Sequence, residues 1–277
     1  MLLWIGVVQF CACAVAAQDS VSPPEHPQAQ GALPVSQASQ ASIVDPGPDF
    51  GFIPNSAQVV QPGRVYIETA FESTQAEDRT VRTNFVPVLL RIGAIEGLEL
   101  RAQMNVFSHQ SGPTGATSGH GPLQLGFKAR FNRGRQGFFH PSVGVEGELL
   151  LPIASAGMDS GKVEPSATLN VDHFLTSATT LTWSTGVFAP VDESGEQFAQ
   201  GFVGAALTQQ IANPLQVYVT GEYRAPTSDA GTGSIGRVGT GLYWYLSQYI
   251  VFIGGYNWGL TSAAPDTDLT VGLAFAF

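Results

Sequence analysis

The chain has 277 residues, a formal net charge of −10, 12% charged residues, 32 glycines and two cysteines. So few charges beside so much glycine is foreign to an ordinary cytosolic enzyme, in which about a quarter of residues are charged. The twelve Lys and Arg are spread along an acidic chain, which excludes nucleic acid as the main partner. Cys11 and Cys13 both fall in the first apolar stretch, so a processed chain would have no disulfide framework, thiolate metal site or cysteine nucleophile.

Residues 1–17 form an apolar run rich in small residues that gives way to Gln18, Asp19 and Ser20. This is the pattern of a signal peptide, with Val15-Ala16-Ala17 before the cleavage point and an uncleaved anchor as the alternative. Beyond it no stretch reaches the roughly 18 apolar residues of a membrane-spanning helix. Residues 18–47 are Pro, Gln, Ser and Ala with few large apolar side chains, which predicts a disordered lead-in, with His26 solvated among its prolines.

From about Gly63 onward, apolar residues recur at every second position. In the stretch from Gly97 to Phe107, Leu98, Leu100, Ala102, Met104 and Val106 alternate with Glu99, Arg101, Gln103 and Asn105, so a strand there has one oily and one wet face. About twelve such segments follow one another, near 63–74, 80–92, 97–108, 122–132, 138–152, 163–174, 179–190, 198–210, 214–225, 235–246, 249–259 and 267–277. Each is about 10 residues long, enough for a tilted strand to cross a bilayer. Short turns (Ala94-Ile95-Glu96, Arg133 to Gly137, Thr176-Ser177-Ala178, Ala212-Asn213, Ser247-Gln248) alternate with longer polar loops such as His109 to Gly121, Ala154 to Lys162 and Pro226 to Ser234. Loops sorted by length at the two ends predict an all-β, transmembrane, up-and-down antiparallel barrel over residues 48–277.

Aromatics near the strand ends, among them Tyr66, Phe71, Phe138, Phe139, Trp183, Tyr243, Trp244 and Trp258, fit interfacial girdles. The last segment sets Leu269, Val271, Leu273, Phe275 and Phe277 on one face. It resembles the C-terminal signal read by the outer-membrane assembly machinery, an expected partner alongside outer-membrane lipid and lipopolysaccharide.

The chain also resembles a family, the outer-membrane transporters associated with the meta-cleavage pathway of phenol degradation. The resemblance rests on Pro48-Asp49-Phe50, Gln61-Pro62-Gly63-Arg64-Val65, Leu89-Leu90-Arg91-Ile92-Gly93, Leu98-Glu99-Leu100-Arg101, the run from Gly121 to Lys128, Gly241-Leu242-Tyr243 and the last strand. Pro122 stands where the family pattern has an Asp. The resemblance implies a channel, with aromatic or other small organic solutes as cargo, and supplies no catalytic residues.

With apolar positions facing lipid, the alternate positions face the lumen. These include Glu68 and Glu72, and the selectivity candidates Glu99, Arg101, Lys128, Arg130, Glu146, Glu148, Glu164, Asp172, Glu222, Arg224 and Arg237. Either they bathe a wet pore in a transverse field, or they pair across strands and fill it. The loops add an acidic mouth (Asp159, Asp192, Glu193, Glu196, Asp229, Asp266, Asp268) against Lys162 alone. No G-x-S-x-G elbow, H-E-x-x-H helix or EF-hand pattern occurs. His109 and His120, beside Ser108, Ser111 and Ser118, read as solvated loop residues. The expectation is therefore a channel for small solutes without enzyme activity, metal or cofactor. The alternatives are a structural or adhesive barrel with a closed lumen and a loop-sited lipid hydrolase.

Overall fold

A computed structural model of the chain describes residues 46–277, apart from 51–53, 77–79, 114, 193 and 227–232. The signal-peptide reading, and the lead-in reading up to residue 45, lie outside the described residues. Thirteen strands follow in order: β1 Val65–Ala76, β2 Val81–Ile95, β3 Leu98–Gly112, β4 Gly115–Gly119, β5 Leu123–Asn132, β6 Ser142–Leu151, β7 Glu164–Phe174, β8 Thr179–Phe188, β9 Gln200–Ala212, β10 Leu215–Arg224, β11 Ile235–Tyr245, β12 Ile250–Gly259 and β13 Thr267–Ala276. Consecutive strands other than β4 and β5 pair antiparallel, and β1 pairs with β13, so the sheet closes on itself. The short β4 pairs with the upper part of β3 and β5 pairs with the lower part, so together they form one interrupted stave. The result is a barrel of twelve staves closed around its whole circumference, with only the short β4 beyond β5 paired on one side, the arrangement lipid demands because no backbone polar group can be left unpaired there.

Burial runs opposite to that of a water-soluble protein. Leu100, Leu125, Phe127, Val203, Val219, Leu269 and Val271 are exposed on the outer face, whereas Glu68, Arg91, Glu99, Lys128, Ser142, Asn170 and Ser184 have no exposure at all on the inner face. The period-two pattern sets this inversion, and a one-residue slip would turn every charge toward lipid. A charge at the membrane midplane costs about 2–4 kcal/mol, so the register is strongly specified.

Three expectations change. His109 to Gly121 is not a loop: β3 continues to Gly112 and turns into β4. A bulge makes this possible, since Val86 pairs with Phe107 and Pro87 with Asn105, leaving Val106 extra, and Pro87 has no N–H to offer the ladder there. The segment expected at 138–152 begins only at Ser142, so the turn expected at 133–137 runs to residue 141. Finally, Tyr66 and Tyr243 belong to no girdle. They are buried inside the barrel with Tyr218, Val251 and Ile253, in a cluster that includes Phe50 and Val60 of the segment preceding β1.

A segment across the lumen

That segment, described over residues 46–50 and 54–64, is the main feature the alternation does not announce. It lies within the barrel, pinned on one side by the tyrosine cluster and on the other by carboxylates of the wall. Glu68 accepts the backbone N–H groups of Asp49 and Phe50 at 2.8 and 3.0 Å, and Glu99 accepts that of Val60 at 2.8 Å. Asp172 accepts the Ala57 N–H at 2.9 Å and the Ser56 hydroxyl at 2.8 Å, with Gln58 and Thr182 as further donors. Glu146 accepts from Asn55. Glu68, Glu99 and Asp172 thus supply acceptors to a backbone that has no sheet partner of its own, and Glu146 holds an amide side chain of the same segment. Gly93 lets the chain come close, for a Cβ there would lie 2.0 Å from the Gln61 carbonyl oxygen.

Candidate functional site: the partitioned lumen

The segment divides the lumen. On the side where β1 begins and β13 ends, the periplasmic end of an outer-membrane barrel, lies a cavity of about 470 Å³ lined by Glu96, Arg130, Asp172, Thr208, Gln216 and Tyr245. On the extracellular side lies one of about 450 Å³. Both are lined by Asp49 and Asn55, which therefore stand between them.

At that level five strands and the segment bring eight charges together. Arg91 binds Glu99 through two donors at 2.8 and 3.0 Å, Glu68 at 2.8 Å and the Gly47 carbonyl at 3.1 Å. Asp49 Oδ2 takes Arg101 at 2.6 Å and Lys128 at 2.5 Å, with Arg91 at 3.4 Å. Glu146 lies 3.6 Å from Arg101 and 3.4 Å from Lys128, and Glu148 lies 3.6 Å from Arg101. The register explains the meeting: Arg91 is opposite Arg101, Glu99 is opposite Lys128, and Lys128 is opposite Glu146. Like-charged Arg91 and Arg101 are tolerable as partners because Asp49 and Glu99 sit between their guanidiniums.

Of the expected lumen residues, Glu99, Arg101, Lys128, Glu146 and Glu148 meet in this cluster, and Asp172 holds the segment beside it. Arg130 lies below, on the periplasmic cavity, bonded to Gln58 at 2.8 Å. Glu222, Arg224 and Arg237 form a separate chain on the extracellular cavity, in which Glu222 binds both arginines and Arg237 continues to Asp268 at 2.9 Å. Asp268 is therefore a lumen residue of β13 rather than part of the acidic mouth. Glu164 stands at the extracellular rim, where Ser160 donates to it at 2.6 Å. Glu193 and Asp229 lie outside the described residues. Asp192 closes its own turn, accepting from the Ser194 hydroxyl and the N–H groups of Ser194 and Glu196, which holds its carboxyl below the usual range.

Asp49 and Arg91 are absent from the expected set. Both stand in the motifs that carry the family resemblance, and an Arg flanked by Leu90 and Ile92 on a strand is itself a lumen signal by alternation.

The extracellular cavity has a further property. Its wet face carries aromatics where the alternation calls for polar residues. Phe85, Pro87 and Leu89 are successive inward positions of β2, and Phe188 and Phe202 are inward on β8 and β9. In strand order these elements are about half a turn of the barrel apart, so two apolar walls face each other. Phe188 stacks on Phe202 at 4.6 Å, and the Arg224 guanidinium lies over the Phe188 ring, 5.2 Å from its centroid. Between the walls run the two ion-pair ladders, in which each arginine has a carboxylate partner.

His109 and Ser118 do come together, Nδ1 to Oγ at 2.7 Å, as cross-strand partners of the exposed β3–β4 hairpin. His120 instead faces the Gly121 carbonyl at 3.2 Å.

A closed antiparallel barrel with an oily exterior and a charged interior is an outer-membrane β-barrel. The chain belongs to the family described as "Putative MetA-pathway of phenol degradation", whose model matches residues 51–277. Among curated proteins, none matches the chain. Among solved structures it is similar to an outer membrane channel from Pseudomonas putida F1, with a TM-score of 0.59 and 14% identity over 84% of this chain and 99% of that one. It is also similar to the KdgM porin, with a TM-score of 0.53 and 10% identity over 76% of this chain and 99% of that one. The NanC porin gives 0.51 and 10% over 76% and 98%. At these identities the likeness is one of fold, and the folds shared are those of channels and porins.

Proposed function

We propose that the protein is a passive outer-membrane channel for small organic solutes, with neutral or weakly polar aromatic molecules as its preferred cargo. The observation that carries this is the pair of apolar walls, Phe85-Pro87-Leu89 and Phe188-Phe202, facing each other within an otherwise charged lumen. An aromatic ring gains about 0.5–1.5 kcal/mol from a well-placed aromatic neighbour beyond its area burial. That is enough to concentrate a solute in the vestibule and too little to trap it. The arginines are matched by carboxylates, so among the described residues an anionic solute meets no free cation there, while a hydroxyl finds acceptors on Glu148, Glu222 and Asp268. Arg101, Lys128, Arg130, Glu146, Glu148, Glu222 and Arg224 then sort solutes by charge on the way to the periplasmic cavity, past Asp49 and Asn55.

The family membership supports an aromatic cargo. Export through the first 17 residues, recognition of the strand ending at Phe277 by the assembly machinery, and contact of the acidic loops with lipopolysaccharide complete the reading. Single-channel recording of the refolded protein in a planar bilayer, with phenol and benzoate as blockers, tests it. Discrete steps blocked more strongly by phenol are expected, and a folded barrel without steps would overturn it. A second reading, a structural barrel with a closed lumen, draws support from the fully buried ion pairs around Arg91 and would be favoured by that silent outcome.

A further inference from the structure

The connection between β5 and β6, residues 133–141, does not hang free as a periplasmic turn. The Gly137 N–H donates to the Phe174 carbonyl at 2.8 Å and Gln136 forms a bridge with Phe174, so the loop lies along the periplasmic end of β7. It lies on the outer side. His173 alternates with inward-facing Asp172, points outward, and stacks on Phe138 with ring centroids 4.5 Å apart and planes 14° from parallel. The Trp183 indole N–H donates to His173 Nε2 at 3.2 Å, which leaves the imidazole proton on Nδ1, where it is donated to the Phe138 carbonyl at 2.7 Å. The loop is thereby locked to the outside of the barrel wall.

Locked in this way, it displays Phe138 at 53% exposure and Phe139 at 88%, next to Phe131 at 68%. These rings extend the lipid-facing belt at its periplasmic margin. The same stretch is the chain's densest group of cations: Arg130, Arg133 and Arg135 are three of twelve Lys and Arg, within six residues of an acidic sequence. Glu96 engages Arg133 at 2.6 Å and Arg130 at 3.4 Å, and hydrogen bonding and charge from Arg133 hold the Glu96 carboxyl below the usual range. Arg135 forms no ion pair among the described residues, so the loop carries a cation beside two exposed phenyl rings at the membrane margin.

We propose that residues 133–141 form a binding site for an anionic phospholipid of the periplasmic leaflet. Phe138 and Phe139 sit among the upper acyl carbons, and Arg135, aided by Arg133, contacts the phosphate. Continuity with the lipid-facing Phe131 favours lipid over a soluble protein, because any occupant must share the bilayer edge. The unmatched arginine favours an anionic headgroup over a zwitterionic one. The site is on the exterior and does not depend on what the lumen passes.

The test uses the full chain refolded in phosphatidylcholine vesicles, with Trp4, Trp244 and Trp258 replaced by Phe so that Trp183 is the sole indole. A small fraction of lipid brominated on its chains is added, either phosphatidylglycerol or phosphatidylcholine, and Trp183 quenching is read. Brominated phosphatidylglycerol is expected to quench roughly fivefold more per molecule, the enrichment one unmatched cation near a membrane surface provides. Arg135→Gln is expected to remove most of that preference while leaving quenching by brominated phosphatidylcholine in place, and heat-modified gel migration checks that both barrels are folded. Equal quenching by the two lipids, or a preference that survives the Arg133→Gln, Arg135→Gln double variant, overturns the proposal. So does a Trp183 that neither lipid quenches, as it would be if a second copy or another protein covered the loop.

Discussion

Arg101 meets Asp49 at 2.6 Å, joining the barrel wall to a segment 52 residues earlier in the chain, and Lys128 closes on the same carboxylate oxygen. Asp49 is therefore the electrostatic fastener of the segment that divides the lumen. Removing one member of a buried ion pair typically costs about 3–5 kcal/mol, because the partners are left uncompensated. Asp49→Asn is expected to loosen the segment while the strand ladder keeps the barrel closed. Val59, buried in the segment, serves as reporter: in a chain with Cys11 and Cys13 replaced, a Val59→Cys thiol should resist a membrane-impermeant maleimide and become reactive once Asn replaces Asp49. Channel conductance should rise in the same variant. Unchanged labelling and conductance would show that the backbone hydrogen bonds to Glu68, Glu99 and Asp172 hold the segment without Asp49.

Arg91 should be the most sensitive position for stability. It has no exposed surface and serves Glu68, Glu99 and Asp49 together, so Arg91→Met leaves three buried carboxylates facing an apolar side chain. A loss of about 3–5 kcal/mol is expected, read as a lower urea midpoint for unfolding in detergent. The Arg133–Glu96 pair, exposed on both sides, is the comparison, and Arg133→Gln should leave that midpoint in place.

Gly93 offers a steric route to the same segment. A methyl group there would sit 2.0 Å from the Gln61 carbonyl oxygen, whereas one at Gly221 would meet nothing within 4 Å. Overpacking costs about 1–3 kcal/mol, and the segment, which has no strand partner, can yield more readily than β2. Gly93→Ala should therefore speed labelling at Val59→Cys and raise conductance, and Gly221→Ala should do neither. Equal behaviour of the two variants would mean the strand moves instead.

The barrel was legible because its cause is local: alternation at Leu98 to Val106 and its eleven counterparts fixes which face meets lipid, and loop lengths fix the ends. Even there, the bulge at Val106 leaves no clear mark in the sequence, because one extra residue inverts the pattern without erasing it. The charge cluster was legible in part, since Glu99, Arg101, Lys128 and Glu146 follow from parity and register. Its organising member, Asp49, did not. A segment without secondary structure has no period, and its place is set by acceptors on β1, β3, β6 and β7 that lie up to 116 residues away. The inward Phe188 and Phe202 break the alternation, and a sequence reading that looks for the pattern passes over the positions that violate it.

Those two rings carry the last prediction. Phe188 contacts both Phe202 and Arg224, and faces the Phe85 wall across the extracellular cavity. If aromatic solutes dwell between these walls, Phe188→Ala and Phe85→Ala should each weaken block by phenol roughly three- to tenfold, the size of one aromatic contact. Phe188→Leu, which keeps the apolar bulk, should fall between. Unblocked conductance should hardly change, because the segment that divides the lumen at Asp49 and Asn55 is left in place. Benzoate should block less than phenol in the parent channel, since Glu222 and Asp268 already match Arg224 and Arg237, and Glu222→Gln should narrow that difference by freeing positive charge. Concentration series of the two blockers on single channels of the parent and each variant give the dissociation constants needed. Phenol block untouched by both alanine variants would mean that the apolar walls only fill space and that selection occurs at the central charge cluster.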